Sequence, residues 1–382
     1  MRRGLALPLS VAVAAALSAL AGGHAAQLAT QVLVLWGFGL GFQWLFGRSG
    51  LLSFGHAVPF GLAAFGTAHA VAALPPWPVA ELLPLAGAAV GAACGVLLGY
   101  PLTRRGGIAF SMVTLGLGEL VAACFLMFPA FFGGEAGITL QRTRAPSLLG
   151  LDYGRAAAQL GLTLAWTLLL LALVQALART PFGLAAAAVR ENPQRVAFLG
   201  LGTAALRWRS MIVGSTVAGL AGALSALAYE IVTVDAVSLQ MSAQVLLLTV
   251  IGGLAHPAGP LVGAVFLTLM QSVVSGFSRA WLFYYGFVFV VLVWVAPQGL
   301  VGLWQDARRR PPSLRTVLVV AGVAVALVVF VETAYQLALG EPARLPGWQG
   351  LAPAALQALL LASGIAVAWP LARALRRRGG AA

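Results

Sequence analysis

The chain contains no lysine: each of its 23 basic residues is an arginine. A phosphate-binding loop of the G-x-x-x-x-G-K-[ST] type needs a lysine to reach the outer phosphates, so nucleotide hydrolysis of that class is excluded. Charge is scarce altogether, at 9% of 382 residues. Cysteine is nearly absent, and Cys94 and Cys124 both fall in apolar stretches away from any metal-ligand spacing. They imply neither a disulfide framework nor a metal site. Histidine is limited to four positions and acids to ten, mostly scattered, so the clustered groups of a membrane-embedded enzyme are missing. No catalytic and no metal-binding residue is assigned.

What the chain has in abundance is apolar surface, 60% of its residues, with a mean hydropathy of +0.94. Apolar stretches of about 17 to 25 residues, the length that crosses a bilayer as a helix, recur from end to end. Candidate helices lie near 5–22, 27–46, 51–72, 79–100, 108–131 and 156–178, then near 210–229, 244–255, 259–276, 281–300, 316–339 and 351–374. The expectation is an all-α, polytopic transmembrane bundle of about 10–12 membrane helices. The start, "MRRGLALPLSVAVAAALSALAGG", has the form of a signal peptide but is read here as an uncleaved first membrane helix.

The net charge of +13 sits mainly in short breaks between apolar stretches, where positive-inside orientation explains it more simply than nucleic acid does. With the N-terminus inside, the breaks at Arg48, Arg104 and Arg105, 179–209, 305–315 and Arg376 to Arg378 all fall on the cytoplasmic side. The piece 244–255 is short and ends at Gly252 and Gly253, which marks a possible broken helix near 244–260. Interrupted helices at membrane depth are tolerated only where protein buries them or a cavity wets them, which puts "IGGLAHPAGPLVGA" in the functional interior.

One stretch interrupts this pattern: "RTPFGLAAAAVRENPQRVAFLGLG", from Arg179 to Gly202. Thr180 before Pro181 is a capping hydroxyl followed by proline at the first helical position. Phe182, Ala185, Ala186 and Val189 form one apolar stripe. Asn192 precedes Pro193, which disfavours continued helix, and the same Asn caps a second short helix ending at Gly200. Two readings of these short amphipathic helices stand side by side: a docking surface for another protein, or a basic face on anionic headgroups.

The stretch resembles the cytoplasmic coupling loop of branched-chain amino acid ABC importer permease subunits of the LivM type, through Gly183, Arg190, Asn192, Ala197 and Gly200. Four further segments resemble the same family in the same order. They are "SGLLSFGHAVPFGLAAFGTAHA", with Ser53, Gly55, His56, Ala57, Phe60 and Gly61; "MVTLGLGELV" and "FFGGEAGI", with Thr114, Leu115, Glu119, Gly133, Gly134, Gly137 and Ile138; "AGLAGALSAL"; and "IGGLAHPAGPLVGA", with Gly252, Gly253, Gly259, Pro260, Gly263 and Ala264. Departures occur at Arg179-Thr180, Ala63, Phe65, Phe132 and Ala255. The resemblance covers roughly residues 35 to 303 and divides the chain into an N-terminal helix region at 1–34, a permease core at 35–303 and an added segment at 304–382 with two further helices and a basic tail.

What the resemblance implies is a permease subunit of an ATP-driven importer in a bacterial inner membrane. It would work with a second, LivH-like permease, two cytoplasmic ATPase subunits and a periplasmic substrate-binding protein. No cofactor is expected on this chain, ATP and Mg²⁺ being expected on the ATPases. The coupling residues would be Gly183, Arg190, Glu191, Asn192, Ala197 and Gly200, with Arg190 and Glu191 as the charged docking pair or else as an intraloop salt bridge. The translocation pathway would draw on Ser53, Gly55, His56, Glu119, Gly133, Gly134, Gly137, Gly252 and Gly253. His56 serves architecture equally well as a neutral interhelical group, and Gly133 to Gly137 equally well as a tight turn. Glu119, near the middle of its helix, should be paired, protonated or facing a wet cavity. The rival class is a stand-alone, ion-gradient-driven secondary transporter, which also uses buried acids and broken helices.

Overall fold

A computed structural model describes residues 2–73, 80–144, 146–148, 150–275, 281–295 and 298–309. The helices expected at 316–339 and 351–374 lie outside the described residues. The chain divides into two compact units, Met1–Thr268 with Ala296–Val301, and Leu269–Val295 with Gly302–Ala382.

The first unit is built around one long helix. In chain order its helices are α1 (Arg2–Ala21), α2 (Gly23–Phe42), α3 (Ala57–Ala73), α4 (Leu83–Leu97), the short α5 (Gly99–Leu102), α6 (Ile108–Met127), the short α7 (Pro129–Phe132), α8 (Ala156–Ala178), α9 (Pro181–Glu191), α10 (Pro193–Phe198), α11 (Thr203–Tyr229), α12 (Leu239–Gly252) and α13 (Gly259–Leu269). A single antiparallel ribbon joins β1 (Ile138–Thr139) to β2 (Ile231–Val232), with Ile138 opposite Val232. In the second unit, α14 (Trp281–Val295) is apolar on every face, as a lipid-embedded helix is. The amphipathic α15 (Gly299–Arg309) begins in the first unit and ends in the second.

Among the described residues five helical runs are long and apolar enough to cross a membrane: Gly23–Arg48, Ala80–Leu97, Ile108–Met127, Ala156–Ala178 and Thr203–Tyr229. Four shorter apolar helices accompany them. α11, at 27 residues, is about 40 Å long. It begins earlier than its apolar run, with Arg207 and Trp208 in its first turns: Arg207 lies against Gly106, and the Trp208 indole donates to the Val96 carbonyl at 3.2 Å.

Small residues let the neighbours of α11 approach its backbone, the main source of helix affinity in a bilayer, where apolar burial drives little. Gly87, Gly91 and Gly95 on α4 face Ser215, Gly219 and Ala223 on α11 so closely that a methyl at Gly91 would overlap the Ser215 carbonyl oxygen. A methyl at Gly41 of α2 would lie 2.8 Å from the Gly214 carbonyl oxygen. Gly222 sits against the Phe60 carbonyl of α3. Around these contacts Trp36, Phe38, Phe42, Trp44, Phe60 and Phe65 are fully buried.

Two stretches depart from the expected helices. Residues 51–56 are not helical, so α3 starts at Ala57 rather than near 51. Ahead of them, α2 runs on as a π-helical segment from Gln43 to Arg48, a widened geometry that recurs at functional sites. The expected break near 244–260 is present as an antiparallel pair. α12 ends at Gly252, α13 begins at Gly259, and Gly252 touches the Gly259 carbonyl while Gly263 touches that of Leu248. With 14 residues, α12 spans about 21 Å, short of the roughly 30 Å hydrocarbon core.

Candidate functional site

The non-helical stretch before α3, largely buried, leaves backbone groups that must find partners. Helices α6 and α12 supply them. The Ser111 hydroxyl donates to the Leu52 carbonyl at 2.7 Å, the Phe54 N–H donates to Thr114 Oγ1 at 3.2 Å, and the Ala57 N–H donates to Ser242 Oγ at 3.0 Å. Gly55 lies directly on the Thr114 carbonyl, where no larger side chain fits. Ser53 is fully buried, and its hydroxyl has no hydrogen-bond partner among the described residues.

His56 turns away from α6, into the crossing of α2 with α11. Its ring stacks on Phe38 at 5.3 Å and 8°, and meets Phe42 edge-on at 5.5 Å. It occupies the space that Gly41 and Gly214 leave open, and neither ring nitrogen has a hydrogen-bond partner among the described residues. A neutral imidazole suits this aromatic setting. The ring packs beside the close approach of the two helices at Gly41 and Gly214.

Glu119 sits one residue beyond Gly118, and Gly118 faces Gly55 across the α6 contact. The glutamate itself is exposed, on the outward side of α6 with Met112, Val113, Gly116, Leu120 and Met127. So Ser53, Gly55 and the turn carrying Glu119 are brought together, while His56 and Glu119 point to opposite sides of that contact.

Gly133, Gly134 and Gly137 form a tight turn, with φ of 76°, 62° and 71°. The turn packs on β2, where Gly137 touches the Val232 carbonyl, and this places it beside the end of α11. The same end of the bundle holds Glu81, whose carboxylate accepts from Ser147 Oγ, the Leu148 N–H and the Tyr153 hydroxyl at 2.9 to 3.1 Å. Burial first, and then Glu81, push the Tyr153 hydroxyl up to about 12. Two residues at this end escaped the sequence reading. Arg142 and Glu230 approach to 3.6 Å, and nothing in the local pattern of either marks a pair 88 positions apart.

At the opposite end lie α9 and α10. Thr180 Oγ1 accepts from the Gly183 N–H at 3.3 Å, and Asn192 Oδ1 accepts from the Arg195 N–H at 3.0 Å, so both helices are capped as their sequences dictate. Gly183, Ala186, Val189 and Val196 are buried, and Val189 and Val196 pack with Leu206 of α11. Leu184, Glu191, Ala197, Phe198, Leu199 and Gly200 are exposed. Phe198 is 89% exposed and Leu199 78%, large apolar groups left uncovered. Arg190 and Glu191 form no ion pair with each other. Arg190 instead donates from Nη1 to the Gly47 carbonyl, at the end of the π-helical segment.

That segment also reaches the broken helix. Gln43 Nε2 donates to the Leu254 carbonyl at 3.0 Å and to the His256 carbonyl at 2.8 Å, in the turn between α12 and α13. Gly252 and Gly253 lie at this turn, and Gly253 has a φ of 117° that only glycine adopts readily. Gln43 was missed in the sequence, although it is the only strongly polar side chain of "GFGLGFQWLFG" and an amide there requires partners. The predicted pathway residues thus fall into three groups: the 53–56 stretch with α6, the glycine turn at 133–137, and the 252–253 turn linked through Gln43 and Gly47 to Arg190.

Residues 24–296 match the family described as branched-chain amino acid transport system, permease component. The high-affinity branched-chain amino acid transport system permease protein LivM of Salmonella typhimurium is 29% identical over 300 residues, 72% of this chain and 69% of the relative. The protein of the same name from Escherichia coli is 28% identical over the same shares. A probable branched-chain amino acid transport permease protein LivH of Methanocaldococcus jannaschii is 30% identical over 154 residues, 37% of this chain and 48% of the relative. No solved structure matches the chain. The family match runs through all three residue groups and the helices that hold them, and the chain is a multi-pass, LivM-like member of the permease components of branched-chain amino acid transport systems.

Proposed function

We propose that this permease carries branched-chain amino acids, or related small polar solutes, inward through a pathway it forms with a second, LivH-like permease. Two cytoplasmic ATPase subunits bind ATP and Mg²⁺ and grip α9 and α10, and a periplasmic binding protein delivers solute to the outer end. The permease core is taken as residues 35–303, with 1–34 and 304–382 as flanking segments. A bacterial inner membrane with the N-terminus inside fits the excess of arginine at the α9 end, where Arg48, Arg104, Arg105, Arg179, Arg190, Arg195, Arg207 and Arg209 outnumber Arg142, Arg144 and Arg155 at the other.

The observation that carries the reading is the connected route from α9 through Arg190 and Gly47, along the π-helical segment, and through Gln43 to the turn between α12 and α13. Movement of α9 displaces a short, irregular stretch of α2 rather than a rigid helix, and the glycine turn at 252–253 moves with it. The outward-facing Glu119 fits a wall of the pathway, since an acid in mid-helix requires water or a partner chain. Few other charges line this surface, which suits weak transit binding; tight solute affinity on the isolated permease would contradict that part.

Purification from the native membrane in mild detergent, with mass spectrometry of what accompanies the chain, tests the reading. ATPases and a second permease should co-purify with the wild type. The Arg190→Ala, Glu191→Ala double variant should lose most of the ATPases, and Gln43→Leu should keep them while solute uptake falls at least tenfold. Recovery of the chain alone in every case would overturn the importer reading.

A further inference from the structure

We infer that the outer end of this permease holds a binding site for a small zwitterionic group, a cationic nitrogen and an anionic oxygen borne on one short skeleton, between the ends of α2, α8 and α11. A cavity of about 460 Å³ lies there, lined among others by Gln27, Thr30, Arg142, Gln159, Tyr229 and Glu230. Its size suits a small-molecule site. Its lining is mostly polar, and it joins helices far apart in sequence.

Two buried donors in this lining lack hydrogen-bond acceptors among the described residues. Gln159 is 3% exposed and its Nε2 has no hydrogen-bond partner, and Arg142 Nε makes no hydrogen bond either, facing Glu230 Oε1 only at ion-pair distance, 3.6 Å. Buried donors normally find acceptors, and one anionic oxygen in the cavity would serve both. The rest of the Arg142 guanidinium is fixed: Nη1 donates to the Leu227 and Ala228 carbonyls, and Nη2 to that of Gly154, each at 3.3 Å. These acceptors are neutral. They orient the guanidinium at the end of α11, and its charge is met by the Glu230 carboxylate, 3.6 Å from Nε.

Glu230 supplies the opposite sign. It is the one residue other than glycine with a left-handed backbone among the described residues, at φ 57°. Glycine would fill this helix-ending position without strain, so a glutamate here points to a task for its carboxylate. One carboxylate oxygen accepts from the Arg142 N–H at 3.1 Å, and the side chain is 40% exposed, which leaves room for an ammonium group on the cavity side. A solute with its anionic oxygen on Gln159 and Arg142 and its ammonium on Glu230 satisfies every group named. Two sources share this chemistry: a free α-amino acid, which rests on the importer reading above, and the headgroup of a phosphatidylethanolamine in the bilayer.

The test uses the complex as purified, without the binding protein, in nanodiscs of phosphatidylglycerol alone and of phosphatidylglycerol with phosphatidylethanolamine. Radiolabelled leucine binding is measured by scintillation proximity, and retained lipid by native mass spectrometry. The variants are Glu230→Gly, which removes the carboxylate while relieving the backbone, and Gln159→Leu, which removes the amide at similar volume. Saturable leucine binding that falls at least tenfold in both variants supports the site with an amino acid as its ligand. Phosphatidylethanolamine retention that is lost in both variants supports it with a lipid headgroup. If both variants melt as the wild type does, and neither leucine binding nor lipid retention changes, the site is overturned. Co-purification of the ATPases is scored separately, so the importer reading can stand or fall apart from this result.

Discussion

Glu119 and His56 show how far a single polar residue can be read in a membrane chain. Both stand out against apolar surroundings, and both fall within one helical turn of the contact between Gly55 and α6. The sequence of α6 is apolar on all sides, so it does not reveal which face is buried. In the structure His56 is fully buried against Phe38 and Phe42 and Glu119 is exposed. Replacing an exposed residue should leave the fold intact, so Glu119→Leu should melt within a few degrees of wild type. Its solute uptake should fall at least tenfold if the α6 face lines a wet pathway, and Glu119→Gln, which keeps a polar group, should retain more. Wild-type uptake in both variants would remove Glu119 from the pathway.

At the scale of elements, the helix contacts rest on backbone proximity rather than on side-chain bulk. Gly91 touches the Ser215 carbonyl, and a methyl there would stand 2.9 Å from the Gly219 Cα, with no flexible side chain to yield. Gly91→Leu should therefore destabilise the chain by about 3 kcal/mol or more, the upper range of overpacking costs. Gly161→Leu on α8, where nothing lies within 4 Å, should be neutral or slightly stabilising, because leucine is the better helix former. Thermal unfolding of both variants in one detergent checks the contrast; equal melting would mean that the α4–α11 contact does not hold the bundle together.

The same scale shows what the sequence reveals. The limits of α8, 156–178, and the capped starts of α9 and α10 are legible, because an apolar run or a Thr-Pro or Asn-Pro pair fixes them locally. The non-helical stretch at 51–56 is not legible. It runs straight into the apolar run of α3 with no proline to mark the boundary, and Ser111, Thr114 and Ser242, distant in sequence, supply partners that let the backbone leave the helix. The start of α12 at Leu239 was missed by several residues for a similar reason. Ser238 caps it by accepting from the Met241 N–H, ahead of the apolar run that marks the helix in sequence. Of the candidate site, the coupling-loop pattern and the glycine pairs could be found by motif. The Arg142–Glu230 pair and the reach of Gln43 depend on which helices become neighbours.

For the chain as a permease, the buried α11, the small-residue contacts around it and the irregular link from the α9 end to the broken helix, all in the first unit, fit the proposal that partner subunits drive it. The chain lacks the lysine of a phosphate-binding loop of the G-x-x-x-x-G-K-[ST] type, and α10 and the turn after it leave Phe198 and Leu199 uncovered. The measurement that tests this most directly is leucine uptake into proteoliposomes holding the co-purified complex, with binding protein on the outer face and ATP supplied on the ATPase face. The account predicts uptake that requires ATP and continues when ionophores have collapsed every ion gradient. Uptake by this chain alone, driven by an ion gradient and abolished by the ionophores, would contradict it.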